Sequence, residues 1–287
     1  MGIPKSKIKY LSICTPTYEM GGRGHVFLRY SFDILTRQTF KDFEVIVSDH
    51  SKDGAIEALC KEYQDRLDIH YYRTKVVGSS YNTNNAIRKA GGKLIKILFE
   101  DDFLYSDTSL EEIVEAFDLE KDKWLVTACE HYDDAKGIFF KPFYPVYNHD
   151  IHLGENTISA PTVLTIKNED PVFFDEKLMW FMDCDYYKRC YEKFGEPKIL
   201  NKINAVNRIG KHQIINWAAN KKVRSEEHIY LLEKYGEEKL LRKYHRKMKR
   251  RQLVQTVYKL TPRFVKETIK SFYYPIRDFR KTREKIK

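Results

Sequence analysis

The chain has 287 residues, of which 42% are hydrophobic and 14% aromatic, which supplies a real apolar core and excludes wholesale disorder. Its length fits one large α/β domain with an appendage. The net charge of +10 belongs to the end of the chain: residues 239–287 hold 18 Lys/Arg against 3 Asp/Glu, leaving 33 against 38 in residues 1–238, a net-acidic body that argues against a nucleic-acid-binding face there.

In chain order, apolar runs bounded by turn residues predict strands over 9–15, 43–49, 69–73, 94–99 and 124–129, and helical periodicity predicts helices over 27–37, 56–63, 81–90 and 109–117. That alternation implies a mainly parallel sheet flanked by helices, with right-handed crossovers and ligand-binding loops at the strands' carboxyl ends. Four such ends carry chemistry: Thr15-Pro-Thr-Tyr-Glu19, Ser48-Asp-His-Ser-Lys-Asp-Gly54, the helix entry Ser79-Ser-Tyr-Asn-Thr-Asn-Asn85, and Glu100-Asp-Asp102. Three adjacent carboxylates at the end of a buried strand suggest a hard divalent cation, Mg²⁺ or Mn²⁺, shared with the phosphates of a nucleotide diphosphate. A helix start or a turn would also accept them.

Further on, a helix is predicted over 186–194, with Asp183 and Asp185 before it as helix caps or as chemistry. Arg189, a turn from Asp185, is placed to pair with it. Residues 240–251 are helical and strongly basic, and from Val254 to Ile276 apolar and aromatic residues interleave with Lys and Arg, broken by Pro262 and Pro275. Such a tail reads as short helices on an anionic membrane surface, as a nucleic-acid contact, or as a solvated face. Five widely spread cysteines without a C-x-x-C pair fit a reducing compartment. With no span of roughly 18 apolar residues and no apolar signal core, the expected location is cytoplasmic, peripheral on the inner face of the membrane. Met1-Gly2-Ile3-Pro4-Lys5-Ser6 matches a loose myristoylation pattern that chance often produces.

Four segments, in order, resemble the family 2 glycosyltransferases of GT-A fold. They are Ser12-Ile-Cys-Thr-Pro-Thr-Tyr18, Glu44-Val-Ile-Val-Ser-Asp-His-Ser-Lys-Asp-Gly54, Asn84 through Asp102, and Phe174 through Arg189, within roughly residues 9–215. The resemblance implies a GT-A domain over 1–225, with a donor half at 8–130 and an acceptor half at 131–225, followed by a basic helical tail over 226–287. It implies an inverting, metal-dependent transfer from a nucleotide-diphosphate sugar, UDP-sugars favoured, to a glycan acceptor. From the basic tail, that acceptor is expected to be lipid-linked or of lipopolysaccharide or capsule type. By resemblance Thr15, Pro16, Tyr18 and Glu19 line the nucleoside, Asp49 accepts from the base and Asn84 lies beside the ribose or sugar. Asp101 faces the ribose or sugar, Asp102 holds the metal with Asp101 as alternative ligand, and Asp183 is the base. His212 resembles a histidine near the metal, and Lys211 a phosphate contact. Trp180 either stacks on a sugar face or packs in the core. The family's first motif Asp falls here on Phe99 or Glu100. Two rival functions remain open to the sequence: a sugar nucleotidyltransferase, from Gly21-Gly-Arg-Gly-His25, and a nucleic-acid-binding protein held by the basic tail.

Overall fold

A computed structural model describes residues 8–210, 212–213, 220–246 and 249. The first half is a run of βα units: β1 (Leu11–Thr17), α1 (Gly24–Arg37), β2 (Phe43–Asp49), α2 (Ala55–Tyr63), β3 (Ile69–Arg73), α3 (Ser79–Lys89) and β4 (Leu94–Ile97). Its strands pair in parallel in the order β3-β2-β1-β4, with Cys14 opposite both Ile46 and Ile97. Every residue of β1, β2 and β4 is buried, as a sheet covered on both faces requires. The core gathers Leu11, Ile13, Val45 and Val47 of the sheet with Leu28, Phe32 and Leu35 of α1 and Ile56 and Leu59 of α2.

The second half contains β5 (Phe103–Leu104), α4 (Ser109–Ala116), β6 (Trp124–Asp133), β7 (Ile138–Phe143), β8 (Leu164–Lys167), α5 (Met182–Phe194), β9 (Lys198–Ile209) and α6 (Lys221–Lys234). Beyond β4 the sheet turns mixed. Antiparallel β8 joins β4 to β6, β9 runs parallel to β6, and β5 and β7 pair antiparallel with β9 and β6. The full order is β3-β2-β1-β4-β8-β6-β9-β5 with β7 beside β6.

The chain divides into two compact units, residues 1–231 and 232–287. In the second unit the described residues are the end of α6 and helical turns over 238–246. Most of the basic tail expected to meet a membrane lies outside the described residues. Among those described, no helix is long and apolar enough to cross a membrane.

The predicted elements of the first half all form, with ends displaced by a few residues. The helix expected at 27–37 begins at Gly24, because Gly21 (φ +63°) and Gly22 (φ +86°) close a short 3₁₀ turn directly before it. Gly24 is fixed by contact: a Cβ there would come within 2.2 Å of the Tyr18 carbonyl oxygen. These glycines therefore serve a turn and a close approach.

Candidate active site

The carboxyl ends of β1, β2 and β4 and the start of α5 face one cleft of about 490 Å³. Pro16, Tyr18, His50 and Asn82 wall one part of it, Glu100, Asp101 and Asp102 another, and Asn156, Trp180 and Asp183 a third. Of the residues the sequence singled out, the structure therefore brings Pro16, Tyr18, Asp101, Asp102, Trp180 and Asp183 to one surface.

The three acids differ in their surroundings. Glu100 is buried; its Oε1 accepts from the Tyr18 N–H at 2.9 Å, its Oε2 has no hydrogen-bond partner among the described residues, and burial pushes its carboxyl well above the usual range. Asp102 is also buried, and both its oxygens are taken: Oδ1 by the Arg208 N–H at 2.9 Å and Oδ2 by the Thr162 hydroxyl at 2.5 Å. Burial, then the neighbouring Asp101 charge, raise its pKa against those two hydrogen bonds. Asp101 opens on the cleft, and its Oδ2 lies 3.3 Å from His212 Nε2. Both ring nitrogens of His212 are buried, and among the described residues neither has a hydrogen-bond partner. Phe27 packs against that ring at 4.4 Å, and a Cβ on Gly210 would come within 2.5 Å of it, so Gly210 makes room for the imidazole.

Behind the acids, Arg208 binds the Asp101 carbonyl through Nε and Asp134 through Nη1, both at 2.9 Å, with Phe27, Tyr30, Phe103 and Tyr132 around its guanidinium. Lys96, fully buried on β4, donates to the Thr162 carbonyl, and burial lowers its pKa to about 7.

Asp183 stands in the first turn of α5, which begins four residues earlier than the sequence predicted. Its Oδ1 accepts from the Cys184 N–H at 2.7 Å and its Oδ2 from Asn156 Nδ2 at 2.6 Å, while burial raises its pKa to about 6. Asp185, two residues on, points elsewhere: it is fully buried and binds Arg189 at 2.8 Å. Glu227 of α6 accepts from the N–H groups of Met179, Trp180 and Phe181, so the turn leading into α5 is held by a residue over forty positions away. Arg224 of the same helix lies 3.5 Å over the Trp180 ring.

Four of the expected donor-site residues do not wall the cleft. Thr15 is buried in β1. Glu19 accepts from the Lys52 N–H at 3.3 Å. Asp49 is fully buried, with Oδ1 taken by Thr17 and Ser51 and Oδ2 by Tyr71, hydrogen bonds that organise the end of β2. Asn84 binds the backbone of Phe174 through both ends of its amide and also reaches Glu176, which makes it a latch between α3 and the segment leading to α5. Lys211 lies outside the described residues. Sequence reasoning missed His50, Asn156, Thr162, Arg208 and Glu227. Their only signal was being polar, and each works across a long separation in the chain.

Residues 12–163 match the model of the glycosyl transferase family 2, more than half of the chain. The chain belongs to that family. Among curated proteins, 99 residues are 29% identical to the GalNAc(5)-diNAcBac-PP-undecaprenol beta-1,3-glucosyltransferase of Campylobacter jejuni, covering 33% of this chain and 31% of that protein. Another 97-residue match is 35% identical to an uncharacterized glycosyltransferase of Rickettsia bellii, covering 33% of this chain and 13% of that one. The matches thus span less than a third of either relative's length. Among solved structures, S. aureus TarS 1–349 in complex with UDP-GlcNAc aligns over 78% of this chain and 64% of its own, with a TM-score of 0.56 and 16% identity. The mannosyltransferase PcManGT of Pyrobaculum calidifontis, in complex with GDP-Man and Mn²⁺, aligns over 80% and 65%, with a TM-score of 0.54 and 15% identity. These likenesses establish the shared fold of this family 2 chain, a GT-A type α/β sheet.

Proposed function

We propose that this family 2 protein is a metal-dependent inverting glycosyltransferase, taking a sugar from a nucleotide-diphosphate donor, a UDP-sugar in the first instance, to a glycan acceptor. The observation that carries the reading is the placement of Asp183 in the same cleft as Asp101, with its pKa raised to about 6 by burial. An acceptor hydroxyl is far too weak an acid to ionise alone at neutral pH, so displacement at the anomeric carbon needs a base that takes the proton as the new bond forms. A carboxyl of pKa near 6 is ionised at pH 7 and more basic than an ordinary Asp, and its hydrogen bonds to Asn156 and Cys184 hold it in place. The acceptor oxygen bonds to the anomeric carbon, its proton goes to Asp183, and the nucleotide diphosphate leaves with the bonding electrons of the sugar–oxygen bond.

The residues present fit a divalent cation. Asp101 offers a carboxylate oxygen at the cleft, and His212 offers a buried nitrogen 3.3 Å from it that makes no hydrogen bond among the described residues. Among the described residues no three His, Cys, Asp or Glu side chains converge on one point, so phosphate oxygens and water would complete the shell, a usual arrangement for Mg²⁺. A bound Mn²⁺ or Mg²⁺ supplies Lewis-acid stabilisation of the departing diphosphate. Of the two aspartates, Asp101 is the one we assign to the cation, because the oxygens of Asp102 are committed to Arg208 and Thr162.

A lipid-linked acceptor is supported by the PP-undecaprenol named for the Campylobacter relative and by the basic composition of residues 239–287. In this reading the protein sits on the cytoplasmic face of the membrane through that tail, with residues 1–225 as the catalytic domain and 226–287 as the extension. The test is transfer from a panel of nucleotide-sugars to lipid-linked and soluble acceptors by the full chain and by a chain lacking residues 239–287. Transfer by the full chain, with a selective drop on the lipid-linked acceptor and on anionic liposome binding after truncation, supports the proposal. Equal activity and liposome binding of both forms removes the membrane role of the tail.

A further inference from the structure

His50 immediately follows the buried Asp49, walls the cleft, and lies parallel to Tyr18 with ring centroids 5.5 Å apart and an interplanar angle of 3°. The protonation of its ring follows from its neighbours. The Thr17 carbonyl can only accept, so the end of the Asn82 amide 3.0 Å from it is the NH₂. Asn82 Oδ1 at the other end accepts from the Ser48 hydroxyl, which itself accepts from Asn85 Nδ2 at 2.8 Å, so the amide has one consistent orientation. The second hydrogen of that NH₂ then points at His50 Nδ1, 3.0 Å away, and Nδ1 must accept. An imidazole that accepts at Nδ1 is neutral and carries its proton on Nε2. Burial acts in the same direction, lowering the pKa of the ring. Among the described residues the Nε2–H has no partner, and it belongs to a side chain on the cleft wall.

Resting on the donor-site reading above, we propose that His50 is a specificity-determining residue, a fixed hydrogen-bond donor that reads the keto oxygen of a uracil at the position where cytosine carries an amino group. The Ser48–Asn82 relay holds the imidazole so that it donates at this point and cannot accept. A keto oxygen satisfies the donor; an exocyclic amino group sets donor against donor and leaves both without a partner. Sites built around such a polar contact discriminate far more strongly than apolar pockets do.

The experiment compares binding of UDP and CDP, which share ribose and diphosphate, to the full chain in the presence of Mn²⁺, for wild type, His50→Phe and His50→Gln. Phe keeps a flat ring beside Tyr18 without a donor, and Gln restores an N–H at about the reach of Nε2. The expected result is UDP binding at least about tenfold tighter than CDP in wild type, a preference within about threefold for His50→Phe, and recovery in His50→Gln. UDP binding with its preference unchanged in His50→Phe, or equal binding of the two nucleotides by wild type, overturns the role of His50 and leaves the donor site standing. Binding of neither nucleotide by wild type overturns both.

Discussion

The two halves of the sheet hold their functional groups in different ways. From β1 to β4 the strands are parallel and buried on both faces, and the cleft residues Pro16, Tyr18 and Asp101 reach it because they lie on or just beyond strand ends. From β5 to β9 the pairing is mixed, and the key side chains are held by hydrogen bonds between residues far apart: Asn156 to Asp183, Thr162 to Asp102, Arg208 to Asp101 and Asp102, Glu227 to the start of α5. In the first half backbone topology brings the residues to the cleft, with the Ser48–Asn82 relay orienting His50; in the second, individual polar side chains do the positioning. Substitutions should therefore separate into losses of ligand binding on one side and losses of turnover or stability on the other.

The largest effect is expected at Asp183. Asp183→Asn keeps an acceptor for Asn156 but removes the base, so turnover falls by about 10²–10⁴-fold while nucleotide-sugar affinity changes little, as steady-state kinetics and calorimetry together will read. A comparable loss of donor affinity would instead make Asp183 a donor-site residue.

Next comes the contrast between the adjacent aspartates. Asp101→Ala should abolish the metal-dependent part of nucleotide binding and leave the melting temperature nearly unchanged. Asp102→Ala leaves the Arg208 N–H and the Thr162 hydroxyl buried without an acceptor, at about 1–3 kcal/mol for each such group, and should lower the melting temperature by several degrees. Thermal unfolding of both variants tests the assignment, and the reverse pattern would exchange their roles.

A smaller effect sharpens the picture around α5. Activity of the wild type should rise with pH through about 6 as Asp183 loses its proton. Asn156→Ala removes a hydrogen bond that favours the ionised carboxylate, so the midpoint should move upward, within about one unit. A midpoint that stays put or moves down would remove Asn156 from the control of Asp183. The same burial makes Asp183 a source of pH-dependent stability. Its folded pKa lies above that of the unfolded chain, so the folded state holds more protons between about 4 and 6, and its contribution declines as pH rises through that window.

The smallest effect is expected far from the cleft. Arg29 and Glu62 form an exposed pair between α1 and α2, and Arg29→Ala should change unfolding free energy by less than about 1 kcal/mol with kinetics untouched. A larger change would show that the packing of these two helices depends on surface charge.

What the sequence made legible follows the same division. The parallel half was readable because double-sided burial writes itself as continuous apolar runs such as Leu94-Ile-Lys-Ile97, and its acids stand at a strand end. Even there Lys96 gives no sign that it will be buried, nor do Asp49 and Asn84 show that their polar atoms will bind the protein. In the other half, β7, β9 and α6 carry mixed, partly exposed patterns that periodicity does not resolve. Asn156, Arg208 and Glu227 matter through partners 27, 106 and 46 positions away, a relation that no local window contains. α5 starts four residues ahead of the predicted helix, and the turn leading into it is held by Glu227 of a distant helix, which no local pattern announces.

The most direct test of the central claim is calorimetric binding of UDP to the full chain with Mn²⁺, with Mg²⁺ and with chelator, on wild type and Asp101→Ala. Binding that requires a divalent cation and is lost in Asp101→Ala is the expected result. Binding of equal strength in chelator, or in Asp101→Ala with metal, would contradict it.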